Sequence, residues 1–367
     1  MRPQRIIHVS NFGYKAAKLY LHGVAPKLTN GWTRAGHHVI NFSDRDVARW
    51  NSLFGHRKQG VGAANKALLD LCRSTRPDVL ALGHADVIKP ETVAAIRDSV
   101  PGLRVLQWNV DPIFDGAAPS SDNARRILSK QALVDATFIS TAGPLLASFA
   151  KAGAVVGFLP NPVDASLERG RNFEREGLQN DLFFAVGRGD ELRNHVGEDI
   201  TPNALADRLA AAAPEVRLSL HGVNGRPTVA GPAYEDAILS CAGALNLSRR
   251  NDVCLYTSDR LAHVVGNGLL AHVDRATGYG ALFSDDQFAF YATQAELIDN
   301  LARFKRDDQA RRRVAEAGWK RYFELFDATI IAEYMLDTIF QTHDGSKYPW
   351  PTLCTSQPSP GQPVQQA

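Results

Sequence analysis

A repeated alternation of short apolar runs with helix-period stretches constrains this chain more than any other feature, because the whole series restarts halfway along. The first half carries apolar runs at 5–10 (RIIHVS), 37–42, 78–82, 103–108, 136–140 and 155–159. Helical patterning falls between them: around Leu19, Leu21, Val24 and Leu28, then over 65–72 and 90–99, where Pro90 and Glu91 suit a first turn. Pro160-Asn161-Pro162 breaks the series, and the segment to Asn180 is polar and charged. A second series begins with DLFFAV at 181–186, followed by apolar runs at 216–221, 243–248 and 269–273. Helical stretches separate these runs at 202–213, 234–240 and 258–267, and others follow at 296–304, 307–323 and 327–340. Runs of this kind, each followed by a helix, predict parallel sheets covered on both faces. The expected fold is α/β: two Rossmann-like doubly wound domains facing a cleft.

The length of 367 residues fits two domains. The boundaries read as 1–162 for an N-terminal domain, 163–180 for a linker and 181–326 for a C-terminal domain. A last helix over 327–341 and a tail over 342–367, rich in Pro, Gln and Ser and expected to be disordered, complete the chain. With 44% hydrophobic and 22% charged residues and a net charge of +2, the composition is that of a globular protein without a field suited to nucleic acid. Arg311-Arg312-Arg313, beside Asp307, Asp308 and Glu316, reads as a solvated helix face. Cys72, Cys241, Cys254 and Cys354 are scattered and form no metal-binding or disulfide pattern. The start lacks the apolar segment of about 7–15 residues that a signal peptide needs, and no run reaches the ~18 apolar residues of a membrane span. A cytoplasmic location is expected, compatible with peripheral association with a membrane.

In such sheets ligands bind beyond the carboxyl ends of the strands, so each strand-to-loop junction is a candidate site. Gly187-Arg188-Gly189 follows the first strand of the second series. Its glycines would admit a phosphate and Arg188 would add a charge-assisted contact, although a simple tight turn reads equally well. The loop 221–226 (HGVNGR) is a candidate lining for a base or substrate cleft, or a plain loop. The strongest constellation spans 246–268. A strand delivers Asn246 and Ser248, Ser258-Asp259-Arg260 opens a helix with Ser258 or Asp259 as cap, His263 shares a face with Arg260, and Gly268 ends the helix. A cation in a first helical turn opposes the dipole, which marks Arg260 as a candidate ligand contact; the alternative is a surface arginine paired with Asp259 or Asp252. Gly278-Tyr279-Gly280 reads as a turn near the same edge. In the first domain Asn11, Gly13, His84, Asp86, Asn109 and Asp111 all follow strands and would face the cleft. His84, Asp86 and Asp111 are the candidates for a general base, and His84 and Asp111 are taken as the catalytic pair.

The segment ALNLS at 244–248, followed by Ser258-Asp259-Arg260 and Gly268, resembles the C-terminal domain of spore-coat CgeB-like glycosyltransferases. These belong to the GT-B superfamily and are similar to the group 1 transferases. Leu282-Phe283, Tyr291 and Glu296-Leu297, with the closing helices from Asp307 and Asp327, extend the resemblance over about 181–340. It implies a nucleotide-sugar donor held by the second domain, a hydroxyl acceptor (a cell-surface glycan or lipid-linked precursor) held by the first, and a last helix crossing back to the first domain. No cofactor and no metal are implied; helix amides and basic side chains would stabilise the departing diphosphate. Gly187, Arg188, Asn246, Ser248, Arg260, His263 and Gly268 become the expected donor contacts, with Asn11 and Gly13 on the facing side. One departure stands out: His263 occupies a position where such enzymes carry Glu, and a second acid of the group 1 pattern would fall on Ala271. Two rival readings are a sugar-nucleotide epimerase on the same fold and a non-catalytic nucleotide-sugar-binding protein. A third makes the chain a scaffold that binds partners through its Pro-rich tail.

Overall fold

The computed structural model describes residues 1–14, 23–52, 55–114, 120–150 and 154–354. The first domain holds β1 (Arg5–Ser10), β2 (His38–Ser43), β3 (Val79–Gly83), β4 (Arg104–Asn109), β5 (Ala136–Ile139) and β6 (Val155–Phe158). Its helices are α1 (Val24–Arg34), α2 (Asp44–Trp50), α3 (Val61–Thr75), α4 (Pro90–Ser99), α5 (Ser120–Lys130) and α6 (Gly143–Phe149). The second domain holds β7 (Asn180–Ala185), a two-stranded hairpin of β8 (Arg193–His195) and β9 (Glu198–Ile200), β10 (Leu218–His221), β11 (Cys241–Asn246), β12 (Leu270–Asp274) and β13 (Ala289–Tyr291). With it go α7 (Pro202–Ala212), α8 (Pro232–Leu239), α9 (Arg260–Gly266), α10 (Gln294–Arg306) and α11 (Asp308–Phe326). Two elements follow: α12 (Ala328–Ile339) and β14 (Thr352–Cys354).

The expected parallel sheets are present. The first runs β14-β6-β5-β4-β3-β1-β2, parallel except for β14, and the second β10-β7-β11-β12-β13, parallel throughout. Strand order reverses beside β1 in one sheet and beside β7 in the other. Crevices therefore open beyond the carboxyl ends of β1 and β3, and of β7 and β11. Central strands such as β3 (VLALG) are buried along their whole length, which explains their unbroken apolar runs.

The chain crosses back between α11 and α12, as expected. Asp327 caps α12 by accepting from the Thr329 amide, and Val163 bridges the crossing through bonds to Phe326 and Ala328. The new helix then lies on α1, where Trp32 Nε1 donates to the Ala332 carbonyl at 3.1 Å. A side chain at Gly31 would meet the Ala328 carbonyl oxygen at 2.1 Å, so this helix pair requires glycine there.

Four expectations change. The helix expected around Leu19 to Leu28 begins at Val24, and Leu19 and Leu21 lie outside the described residues. The tail does not leave the fold at Thr342: Tyr348 and Trp350 are buried against Tyr334, and β14 pairs antiparallel with β6. Two aromatic side chains in an otherwise polar segment suffice to anchor it; residues from 355 on lie outside the described part. The polar segment 163–180 is a packed clasp. Asp164 accepts from Arg34 at 2.6 Å and Asn30 at 2.8 Å, and Asn172 donates to the carbonyls of Ile238 and Cys241. Part of its polarity thus serves buried hydrogen bonds, while Arg169, Arg171, Glu174 and Glu176 are exposed. Arg311 is likewise buried, donating to the carbonyls of Asn172 and Arg175 and to Asp308, so the basic run is only partly a solvated face.

Candidate functional site

The two crevices face each other across a cleft of about 520 Å³. The first domain contributes Arg45, Arg57, Asp86, Asp111, Asn123 and Arg126; the second contributes Arg193, Ser248, Arg249, Tyr256, Ser258 and Arg260. A neighbouring pocket of about 280 Å³ shares Arg45, Val110, Asp111 and Asp259 with it and runs into the first domain past Asn11, His84 and Trp108. Ionised groups on the larger wall are unbalanced. Six guanidiniums (Arg45, Arg57, Arg126, Arg193, Arg249 and Arg260) face three carboxylates (Asp86, Asp111 and Asp259). Low-dielectric walls with one excess sign concentrate a ligand of the other.

On the second-domain side three arginines converge. Arg260 reaches from the first turn of α9 and donates to the Leu247 carbonyl at 3.1 Å. Neither Asp259 nor Asp252 takes it: Asp252 is bound by Arg250. Arg249 pairs with Glu191 at 3.0 Å. Arg193, on β8, has its Nε buried without a hydrogen-bond partner. Burial, with Arg249 and Arg260 close by, drives the Arg193 guanidinium down to about 10. Glu191 answers part of this charge, 3.0 Å from Arg249 and 3.8 Å from Arg193, and the unsatisfied Arg193 Nε with Arg260 leaves a place for an anion. Ser248 and Ser258 stand beside them: the Ser258 amide donates to Ser248 Oγ at 3.1 Å, and Ser258 Oγ has no partner. Neither Ser258 nor Asp259 makes the expected side-chain cap of α9, which has seven residues.

On the first-domain side, His84 and Ala85 follow β3 with φ of 59° and 40°. Non-glycine residues rarely adopt this region, and such strain gathers at functional sites. The His84 amide donates to the Trp108 carbonyl at 3.0 Å, and the Trp108 ring stands edge-on to the imidazole at 5.2 Å. A side chain at Gly83 would meet the Trp108 ring at 2.1 Å, so glycine there lets the indole fix His84. His84 Nδ1 lies 3.3 Å from Asp111 Oδ2 and 3.3 Å from Asn109 Nδ2. Burial lowers the His84 pKa against the opposing pull of Asp111, with Arg45 and Arg126 adding to the lowering. At neutral pH the ring is an uncharged acceptor at the pocket wall.

The structure thus brings His84 and Asp111 together, puts Asn11 on the same pocket wall, and sets Ser248 and Arg260 on the facing side. Gly13 lies in the loop beside Asn11, with φ of 71°. Five other expected donor contacts lie elsewhere. Arg188 is exposed and paired with Glu191 at 2.9 Å, and neither it nor Gly187 is on the cleft wall. Asn246 is buried at the end of β11 with neither side-chain polar atom bonded, and is not on the wall. Gly268 has φ of 77° and packs on Asn172 and Phe173, so it terminates the helix. His263 is buried: its Nδ1 lies 2.9 Å from Glu168, which in turn lies 2.5 Å from Lys27 Nζ. Asp86, the other candidate base, is clamped by Arg45 and Arg57 at 2.8 and 3.0 Å. Sequence reasoning missed Arg45, Arg126, Arg193 and Arg249. Arg249 follows a strand end and was legible in principle, whereas Arg193 sits on a three-residue strand with no periodicity to reveal it. Among the described residues no group of three or more His, Cys, Asp and Glu is placed to hold a metal ion, and no helix is long and apolar enough to cross a membrane.

Residues 201–337 match the sequence model of a family described as glycosyl transferase-like. No curated protein matches the sequence significantly. Among solved structures the fold is similar to sucrose-phosphate synthase from Thermosynechococcus elongatus (12% identity, 92% of this chain and 99% of that one, TM-score 0.56). It is also similar to a UDP-forming α,α-trehalose-phosphate synthase from Burkholderia xenovorans (10%, 92% and 99%, 0.57). A third is Anabaena HepE in complex with UDP and glucose (10%, 92% and 100%, 0.57).

Proposed function

We propose that this chain, a GT-B glycosyltransferase similar to the group 1 enzymes, moves a sugar from a nucleotide-sugar to an acceptor hydroxyl in the cleft between its domains. The observation that carries the reading is the cluster of Arg193, Arg249 and Arg260 on the second-domain wall, opposite the neutral His84. A sugar nucleotide leaves as a nucleoside diphosphate, and the negative charge grows on the diphosphate as the glycosidic bond breaks. Guanidiniums already in place stabilise that charge without reorganising. They take the part that a metal ion has in other transferases, so neither metal nor cofactor is assigned. Binding of UDP by Anabaena HepE, of similar fold, supports a uridine nucleotide as the first ligand to try.

His84 is the candidate base: its unprotonated ring would take the proton of the acceptor hydroxyl, with Asp111 holding the imidazole and stabilising its charge afterwards. The acceptor would enter through the smaller pocket past Asn11 and Trp108. A cell-surface glycan or lipid-linked precursor fits this reading, at the cytoplasmic side of a membrane.

The test is titration of UDP into wild type and Arg260→Ala by calorimetry. Removing one charged hydrogen-bond partner of the diphosphate should weaken binding about tenfold or more. Equal affinity in the two proteins would refute the site. Incubation with donor alone separates the epimerase alternative, which forms product without an acceptor.

A further inference from the structure

A second cationic cavity, of about 370 Å³, opens on the first domain and adjoins the cleft through Arg57, Asp86 and Arg126. Its remaining walls come from three places: Lys58 before α3, the start of α4 at Lys89 and Pro90, and the end of α5 at Ser129 and Lys130. Arg57, Lys58, Lys89, Arg126 and Lys130 bring five cations, and Asp86 is the one carboxylate among the described residues of the wall. That carboxylate is already taken by Arg45 and Arg57.

Lys130 is the decisive residue. It is 4% exposed, yet no hydrogen bond or ion pair reaches its ammonium among the described residues. Asp86 and Asp44 act on it only through space, and burial pulls its pKa down against them. The stem is buried while Nζ stays open to the cavity, so the charge is presented to that space instead of being paired within the fold. Nothing about folding requires a lysine here, since a methionine would fill the same volume. The second feature of the cavity is the start of α4, a ten-residue helix whose N-cap, Lys89, makes no side-chain cap bond. Its positive end faces the same space as the ammonium.

We infer that this cavity is an anion subsite of the first domain and takes a phosphate group carried by the acceptor, with Lys130 as its central contact. The inference rests on the reading above, in which the first domain holds the acceptor. A phosphate here would sit beside the cleft while an acceptor hydroxyl reached toward His84, so the acceptor class is a phosphorylated sugar or the phosphate headgroup of a lipid carrier. Both present the same chemistry to Lys130, Lys58 and Arg126.

Inorganic phosphate titrated into the full chain, with UDP saturating the donor wall, tests the assignment. Phosphate should still bind, and Lys130→Met should weaken it about tenfold or more. The variant should melt near the wild-type temperature, because methionine keeps the buried stem. Lys58→Glu, an exposed position, should also weaken phosphate and guards against a folding defect in the first variant. Phosphate binding unchanged in both variants, or lost once UDP is present, would overturn the subsite. Competition then separates the sources. Displacement of phosphate by glucose 6-phosphate supports a soluble sugar phosphate, and displacement by phosphatidylcholine vesicles containing phosphatidic acid supports a lipid headgroup; failure of both would overturn the acceptor role. If wild type fails to bind UDP, the donor reading falls instead, and the phosphate titration repeated without UDP still decides the subsite.

Discussion

Two buried histidines, one in each half of the molecule, have their pKa values moved in opposite directions. His84 lies in the first-domain pocket beside the carboxylate of Asp111, which is half exposed, and with Arg45 and Arg126 nearby; burial and these cations lower its pKa. His263 lies on the buried face of α9 between Glu168 and Asp259. Burial and Lys27 pull its pKa down, but the two carboxylates outweigh them and raise it. The same side chain is thus held against protonation in one place and favoured as the cation in the other. Two carboxylates act on each ring. Around His263 both do so through hydrogen bonds, whereas around His84 Asp111 and Asp86 are opposed by Arg45 and Arg126. On the proposed function this separates a proton-transfer group from one that holds the structure together. His263 belongs to the second kind: Lys27 from α1, Glu168 from the interdomain clasp and His263 from the second domain tie three parts of the chain at one point.

Replacing the first of these histidines should have the largest effect. His84→Gln keeps a polar side chain beside Trp108 and Asp111 but cannot take a proton. Loss of a general base costs about 10²–10⁴-fold, so kcat should fall by that order while UDP affinity stays near wild type. A fall in UDP affinity with kcat preserved would break the comparison, because His84 would then be a binding group.

The contrasting cluster should respond in stability. Glu168→Gln leaves Lys27 and His263 buried without their shared anion. Breaking a buried pair on one side costs about 3–5 kcal/mol, to be read as a lower denaturant midpoint at unchanged slope. Folded Glu168→Gln should also show a lower His263 pKa by NMR titration, toward the behaviour of His84. A loss below about 1 kcal/mol would mean that the cluster does not join the domains.

The legible parts of the molecule were those with a period. The parallel strands β1 to β7 and β10 to β12 and the crossing helix follow from apolar runs and helix spacing, whereas the three-residue strands β8, β9, β13 and β14 are too short to show a period. His84, Asp111, Ser248 and Arg260 were legible because strand ends in a doubly wound sheet point at the cleft. Position relative to a strand end says nothing of where a side chain turns, and this is why Asn246 and Arg188 were misplaced. Gly268 was misplaced for another reason: its positive φ serves the helix end and the Phe173 contact, and a glycine shaped for either use reads the same. His263 marks a deeper limit. Its partners Lys27 and Glu168 are separated from it by 236 and 95 residues, and only the folded arrangement shows that they belong to one ionic cluster. Lys130 was invisible for the same reason, since a lysine at a helix end normally signals solvent.

The smallest effect expected is also the one that most sharply distinguishes the two histidines. Asp111 is half exposed, and a pair of that kind is worth about 0.2–1 kcal/mol, so Asp111→Asn should change kcat at neutral pH by less than about fivefold. The pH profile carries the sign. On the proposed function activity needs unprotonated His84, whose folded pKa lies below 6.5, so the acid limb should fall below that value. Asp111 is the influence that raises this pKa, and its removal should move the acid limb further down. Stability follows the same linkage. Because the folded His84 resists protonation, its contribution is complete above 6.5 and is lost as the pH falls and the unfolded chain takes the proton. His263, with its raised pKa, behaves oppositely: its contribution is complete below 6.5 and is lost as the pH rises through the folded value. Comparing the melting temperatures of wild type and His263→Asn across this range should therefore show a difference that is widest in acid and shrinks in alkali, while His84→Gln shows the reverse tendency. Parallel curves for both variants would mean that the two sites shift their histidines in the same direction.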